Sequence, residues 1–143
     1  RRTDWWNNTL VIITADHGHT YPGRQEVMDP LRFRIPMLWT GGVIKDTARI
    51  SLTGSQTDIV NTVLGQLDES RPEFRFSKNL LGYGTPGFAV YAYNNGFGYR
   101  SAKEGYTFDF NSAKHDGGMI PSAEADRQGR SWMQLLFTDY NSR

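Results

Sequence analysis

The sequence has 143 residues, with sixteen Lys and Arg against fifteen Asp and Glu, and it contains no cysteine. A formal net charge of +1 without a basic block argues against a nucleic-acid or membrane-surface partner. The missing cysteine excludes disulfides, thiolate ligands and a cysteine nucleophile from these residues. The length is that of one domain, the aromatic content argues against disorder, and no apolar run approaches the length of a membrane span.

The first predicted element is the apolar run Leu10–Ile13, which ends at a polar cluster of Asp16, His17 and His19. A short continuous run with β-branched residues is typical of a strand covered on both faces, as in a parallel sheet. In open α/β sheets, ligands bind just beyond the carboxyl ends of such strands. This stretch is therefore the predicted functional centre. Because a buried-type strand starts so close to a first residue that is not Met, we expect the C-terminal piece of a larger protein.

The segment 19–30 is predicted to be a loop, because Pro22-Gly23 and Asp29-Pro30 are turn sequences. This segment and its surroundings contain three charged residues, Arg24, Glu26 and Arg32. They either line a cleft or are exposed to solvent, and solvent exposure is favoured. The residues 35–40 are predicted to form a second strand. Its Pro36 belongs near the strand start or on an edge, because proline has no amide hydrogen to donate.

Ser55-Gln-Thr-Asp58 resembles a capping box and predicts a helix from there to about Asp68. Capping is favoured over a nucleophilic role for Ser55, because no base pairs with it in the sequence. Alternating residues and turns then predict three antiparallel strands, over 88–93, 97–100 and 106–110. Pro121-Ser122 is predicted to begin a final helix. This order predicts an α/β fold that passes into a small α+β end piece.

Three further motifs have simpler explanations. The segment 82–87 satisfies G-x-G-x-x-G literally, but a strand follows it where a dinucleotide site needs a helix, so that reading is rejected. The segment 96–99 is faintly similar to an RNA-recognition strand, and a packed hairpin is strongly favoured over RNA binding. His115 is predicted to lie in a solvated turn, with a distal metal ligand as the less favoured alternative.

Spacing alone leaves two readings of the pair Asp16-His17. A carboxylate oxygen and a neutral imidazole suit zinc, manganese or a similar cation, and both side chains can turn inward where the backbone leaves β geometry. Alternatively, Asp16 caps the loop and His17 is an ordinary surface histidine. Two ligands do not complete a metal site, and no other acid-rich cluster is evident in the sequence.

The stretch 8–18, Asn-Thr-Leu-Val-Ile-Ile-Thr-Ala-Asp-His-Gly, closely resembles the metal-binding strand of the alkaline phosphatase superfamily. More narrowly, it is similar to the sulfatases and the lipoteichoic acid synthase-like phosphoglycerol transferases. Other stretches fit that family in the same order: 34–42, 54–65, 76–80 and 93–98. The resemblance implies the C-terminal part of an alkaline phosphatase-like α/β sandwich, with parallel strands, a small antiparallel sheet and a C-terminal helix. It also implies that 1–82 belong to the catalytic domain and 83–143 to a small subdomain.

The resemblance implies that Asp16 and His17 ligate a divalent metal ion such as Mn, Zn, Ca or Mg, and that His19 is a candidate metal or substrate contact. It implies an enzyme acting on phosphate or sulfate esters, lipid- or glycan-linked, whose nucleophile lies upstream in the missing N-terminal part. The isolated chain is then soluble and inactive, while the whole protein lies in the cell membrane with its catalytic domain outside the cytoplasm. The alternative is a non-catalytic module whose hairpin binds glycan or a protein partner through Tyr91 and Tyr99.

Overall fold

A computed structural model describes residues 3–21, 23, 26, 28–116 and 120–143. The chain divides into two compact units, Arg1–Ser51 and Leu52–Arg143. The helix predicted from Ser55 to about Asp68 lies in the second unit, together with the strands predicted over 88–110. The sequence-based division groups that helix with the first two strands, in 1–82. The predicted domain boundary at 82/83 concerns the larger enzyme and stays a prediction. None of the helices in the described ranges has the length and apolar character that crossing a bilayer requires.

The first unit contains two short strands, β1 (Val11–Thr14) and β2 (Met37–Thr40), that pair antiparallel. The predicted parallel pairing is therefore wrong for these two strands. Ile13 is 56% exposed, so β1 is not covered on both of its faces within this chain. A β-branched apolar run favours extended backbone, but it carries no information about the direction of the neighbouring strand. The predicted strand start is two residues early, and Pro36 lies just before the strand, as expected.

Glycines hold the far end of β2 against the chain that precedes β1, where a 3₁₀ helix spans Asp4–Asn8. The Gly42 amide donates a hydrogen bond to the Trp6 carbonyl at 3.0 Å. Gly41 has a φ of +126°, and a Cβ there would lie 2.0 Å from the Thr9 carbonyl oxygen. Only glycine permits that close backbone approach together with a positive φ. β2 ends at Thr40, so the predicted end of the strand 35–40 is confirmed.

The second unit is built on a four-stranded antiparallel sheet whose strands lie in chain order. The strands are β3 (Phe88–Tyr93), β4 (Gly96–Ser101), β5 (Gly105–Asp109) and β6 (Lys114–Asp116). The three predicted strands are confirmed, but the fourth was missed. His115 therefore lies in an edge strand and not in a turn. Three residues reading Lys-His-Asp show no apolar alternation, so periodicity could not reveal β6.

Helix α2 (Ala123–Asn141) covers one face of this sheet and completes its aromatic core. The Ser122 hydroxyl accepts a hydrogen bond from the Ala125 amide at 3.2 Å, so the predicted helix start is confirmed. Gly129 allows close packing, because a Cβ there would lie 2.1 Å from the Tyr106 hydroxyl. The core consists of seven buried residues: Phe88, Phe97, Tyr99, Tyr106, Phe108, Ala125 and Met133.

Helix α1 (Asp58–Gln66) begins three residues after the predicted capping serine. Half of the expected capping box is present, since the Asp58 carboxylate accepts the Ser55 amide hydrogen at 2.7 Å. The same carboxylate is fully buried and forms an ion pair with Lys78 at 2.9 Å. The sequence pattern indicated only a capping role for Asp58. In the structure Asp58 also binds Lys78, twenty positions later, and so connects α1 to the segment that follows it.

Acid should weaken the attachment of β6 to α2, because Asp126 lies between His115 at 2.9 Å and Arg130 at 2.8 Å. Partial burial raises the pKa of Asp126, but hydrogen bonds from both neighbours outweigh it and lower the pKa below the ordinary 3.8. The charged carboxylate therefore stabilises the fold above about pH 4, and this stabilisation is lost as pH falls through the lowered pKa. Urea unfolding from about pH 6 down to about pH 2.5 should show this loss. Asp126→Asn should flatten that dependence; an unchanged profile would contradict the assignment.

Candidate functional site

The predicted centre lies just beyond the C-terminal end of β1, which stops two residues before Asp16. Asp16 Oδ2 and His17 Nε2 are 3.6 Å apart, and their side chains are 88% and 75% exposed. The structure therefore brings together the two side chains that the sequence singles out. Both project where a substrate, an ion or another part of a larger protein can reach them.

Backbone contacts orient the two side chains. His17 Nδ1 lies 2.7 Å from the Gly18 carbonyl oxygen, and the His17 amide donates to Asp16 Oδ1 at 3.0 Å. A carbonyl can only accept, so Nδ1 carries the hydrogen and Nε2 of the neutral ring keeps a lone pair. This is the arrangement in which a histidine binds a metal through one nitrogen while the other is held by a carbonyl.

The spacing of this pair suits one divalent ion. Two ligands at usual bond lengths in a tetrahedral site lie roughly 3.4 Å apart, close to the observed 3.6 Å between Asp16 Oδ2 and His17 Nε2. Within the described ranges, no group of three or more His, Cys, Asp or Glu residues is placed to hold a metal ion. The residues present therefore fit two ligands of a site.

Gly18 fixes the position of this strand-end turn against a second 3₁₀ helix, Pro30–Phe33. A Cβ at Gly18 would lie 1.8 Å from the Arg32 carbonyl oxygen and 2.7 Å from its carbon. The helix itself is capped by Asp29, whose carboxylate accepts the Leu31 amide hydrogen at 2.8 Å. The turn that carries Asp16 and His17 thus rests directly on backbone, where only glycine fits.

His19 differs from His17 in its hydrogen bonding. Its Nδ1 accepts the Tyr21 amide hydrogen at 2.9 Å, which places the proton of the neutral ring on Nε2. An Nε2–H group donates a hydrogen bond and offers no lone pair to a cation. In this geometry His19 is therefore suited to an acceptor oxygen on a substrate.

Two of the three charged loop residues, Glu26 and Arg32, lie in the part of the chain that the structure describes. Glu26 is exposed, as the solvated alternative predicts, and Arg32 lies in the Pro30–Phe33 helix with its carbonyl against Gly18. Arg24 lies outside the described residues, and so does Pro22 of the predicted turn.

The hairpin tyrosines give limited support to the glycan-binding alternative. Tyr99 is 5% exposed and donates to Gln128 Oε1 at 2.7 Å, so it cannot stack on a sugar. Tyr91 lies across Gly98, where a Cβ would meet its ring at 2.0 Å. This covering of a strand glycine by a cross-strand aromatic ring stabilises the sheet.

The prediction for the third histidine was wrong, and no prediction was made from the sequence for Lys78, whose side chain is largely buried. His115 has a 24% exposed side chain, bonds to Asp126 and packs against the rings of Tyr106 and Phe108. Lys78 pairs with Asp58 and lies 4.2 Å from the centre of the Phe88 ring. Its only sequence signal is its place within the family-like stretch 76–80, which says nothing about its partner.

The sequence matches no family model, and a search of curated proteins also finds no match. A solved structure is similar to this chain: the crystal structure of a protein in the alkaline phosphatase superfamily from Vibrio parahaemolyticus. The TM-score is 0.62 at 19% identity, over 88% of this chain and 34% of that one. The chain thus spans about a third of the length of the structure it matches. The fold is similar to that of part of this neighbour: a mixed α/β arrangement with a small antiparallel sheet and a C-terminal helix.

Proposed function

We propose that this chain is the C-terminal part of a metal-dependent enzyme of the sulfatase and phosphoglycerol transferase type, acting on phosphate or sulfate esters. The observation that carries the proposal is the spacing of 3.6 Å between Asp16 Oδ2 and His17 Nε2 at an exposed strand end. The fold similarity supports the superfamily. The narrower lipoteichoic acid synthase-like assignment rests on the ordered sequence stretches between 8 and 98.

When bound, a divalent ion at such a site stabilises negative charge that develops on the ester oxygens. Asp16 contributes an anionic oxygen ligand and His17 a neutral nitrogen. The Gly18 carbonyl oxygen lies 2.7 Å from His17 Nδ1 and holds the ring by a hydrogen bond. His17 Nε2 therefore faces outward, where it can bind the ion. His19 presents an Nε2–H that can donate to a substrate oxygen, because its Nδ1 is occupied by the Tyr21 amide.

The remaining ligands and the nucleophile belong, in this proposal, to the rest of a larger protein. The similarity to one third of a longer chain supports this division. The nucleophile displaces the alcohol of the ester and becomes covalently bound to the phosphoryl or sulfuryl group; water or an acceptor alcohol then takes this group and releases the nucleophile. By the same family resemblance, the whole protein is a membrane protein with its catalytic domain outside the cytoplasm. Esterase turnover by residues 1–143 alone would contradict the division.

Asp16→Ala and His17→Ala in the full-length protein should each remove stoichiometric metal, measured by elemental analysis after dialysis. Loss of one of few ligands should weaken metal affinity by more than the roughly 10–100-fold typical of an outer-sphere residue, and ester turnover should fall with it. His19→Ala should keep the metal but lower turnover, because its geometry is that of a hydrogen-bond donor. Asp46→Ala, which removes an exposed carboxylate of the same unit, is the matched control. Full metal content in both ligand variants would overturn the proposal.

A further inference from the structure

A polar cleft of about 380 Å³ lies in the second unit, between α1 and the segment that connects α1 to β3. The floor of the cleft is partly buried, whereas its rim is exposed and carries most of the charge. The floor is formed by Asn61, Gly65, Ser77 and Asn79, and the rim includes Glu69, Ser70, Arg71 and Arg75. None of these residues takes part in the pair Asp16-His17.

The floor of the cleft is held rigid by the Asn61 carboxamide. Its Nδ2 donates to the carbonyls of Phe74 and Ser77 at 3.2 and 2.7 Å. The Asn61 amide also donates to Ser77 Oγ at 2.9 Å. The connecting segment is therefore fastened to α1 at Phe74 and at Ser77. A ligand would meet a preformed floor, which reduces the entropy lost on binding.

Two donors on this floor have no acceptor within the part of the chain that the structure describes. Ser77 Oγ accepts from Asn61, which leaves its own hydrogen available. Asn79 Oδ1 accepts the Leu81 amide hydrogen at 3.0 Å, which leaves the Nδ2 hydrogens available. Asn79 lies close over α1 because Gly65 has no side chain; a Cβ there would lie 2.3 Å from Asn79 Nδ2. The floor therefore offers hydrogen-bond donors to an acceptor that enters the cleft.

The rim adds positive charge above these donors. Arg75 has no carboxylate partner among the described residues, and it lines the cleft. Arg71 Nη2 is 3.7 Å from Glu69 Oε2, and both of these side chains are 54% exposed. An exposed pair at that distance is weak and easily exchanged for a better acceptor. The cleft is thus lined by two arginines and one glutamate, and this excess of positive charge favours an anion.

We propose that this cleft binds the oxyanion of a phosphate or sulfate ester, with Arg75 and Arg71 as cationic donors and Ser77 and Asn79 as floor donors. The planar guanidinium fork matches the oxygens of a tetrahedral oxyanion. A volume of about 380 Å³ exceeds that of a bare oxyanion and lies in the range of small-molecule sites. The cleft therefore has room for the group esterified to the oxyanion. None of the residues that line the cleft belongs to the proposed metal site.

The test uses residues 1–143 in EDTA, titrated with sodium phosphate, sodium sulfate and glycerol 1-phosphate at constant ionic strength set by sodium chloride. We expect saturable shifts of the Asn79 side-chain amide signals in NMR spectra, with glycerol 1-phosphate bound more tightly than inorganic phosphate. Arg75→Ala should weaken binding by about tenfold or more, because a charge-assisted hydrogen bond is lost. Arg75→Lys should recover part of that loss, since it keeps the charge but not the fork.

The matched control is Arg127→Ala, which removes an exposed arginine that pairs with Glu124 on α2 and should leave affinity unchanged. Asp16→Ala should also leave it unchanged, so failure of this proposal is distinguishable from failure of the proposed metal site. Shifts that chloride reproduces, or equal affinity in Arg75→Ala and the unsubstituted chain, would overturn the oxyanion site. Equal affinity for phosphate and its glycerol ester would overturn the assignment to an ester.

Discussion

Replacing Asp58 with alanine is expected to destabilise the second unit by about 3–5 kcal/mol, the cost of leaving one member of a buried ion pair unpaired. Asp58 is 0% exposed, and both of its oxygens lie within 3.1 Å of Lys78 Nζ. The Asp58 carboxylate also accepts the backbone amide hydrogens of Ser55 and Lys78, each at 2.7 Å. Alanine would leave the lysine ammonium and two amides without acceptors. The midpoint of urea unfolding followed by circular dichroism should fall accordingly.

Two comparison variants make this prediction specific. Glu73→Ala removes an exposed carboxylate from the connecting segment and should change stability by less than about 0.5 kcal/mol. Asp58→Leu combined with Lys78→Met should recover much of the loss, because an apolar pair of similar volume removes the unpaired charge. The ammonium already lies 4.2 Å from the Phe88 ring centre and 5.4 Å from that of Trp132, so methionine meets apolar neighbours. A loss in Asp58→Ala no larger than in Glu73→Ala would contradict the role of the ion pair.

Gly18→Ala in the full-length protein is expected to lower metal affinity by at least about tenfold, comparable to loss of an outer-sphere contact. The three atoms nearest to the added Cβ would all belong to the backbone: Arg32 O at 1.8 Å, Arg32 C at 2.7 Å and Phe33 Cα at 3.1 Å. No side chain can rotate away to make room, so the turn itself must shift. That shift should break the contact between His17 Nδ1 and the Gly18 carbonyl. Equilibrium dialysis against a divalent metal ion measures the effect.

Gly42→Ala separates positioning of the site from general stability. Its Cβ would also meet backbone, 2.4 Å from the Trp6 carbonyl oxygen, so it should destabilise the first unit. Gly42 follows β2 at the end where Thr40 pairs with Val11, opposite the end nearest Asp16. Folded Gly42→Ala protein should therefore keep its metal affinity. Equal loss in both glycine variants would show that Gly18 acts through stability alone.

The fold of the second unit could be predicted well because its information is local. Alternating residues set the faces of β3, β4 and β5, and the Asn-Asn-Gly turn allows a positive φ of 65° at Asn95. The three-residue strand β6 was missed because it carries no apolar alternation. The ion pair of Asp58 with Lys78 was missed because its members are twenty positions apart. No periodic pattern encodes a contact at that distance along the chain.

The candidate site was predictable only in part. The position of Asp16 and His17 after an apolar strand, together with the family resemblance, indicates a metal-binding pair. The antiparallel direction of β2 was not predictable, because a strand pattern does not specify its partner. Support of the site by Gly18 against the Pro30–Phe33 helix depends on a backbone contact fourteen positions away. The same contact explains why a glycine follows the pair, which sequence spacing alone leaves open.

The most direct test of the proposed metal site is anomalous diffraction from crystals of the full-length protein grown with Zn²⁺. We predict an anomalous peak within about 2.0–2.2 Å of a carboxylate oxygen of Asp16 and of His17 Nε2, with His17 Nδ1 still bonded to the Gly18 carbonyl. Further ligands should come from residues outside this chain. An ion bound at full occupancy elsewhere in the catalytic domain, with Asp16 and His17 not coordinated, would contradict the account.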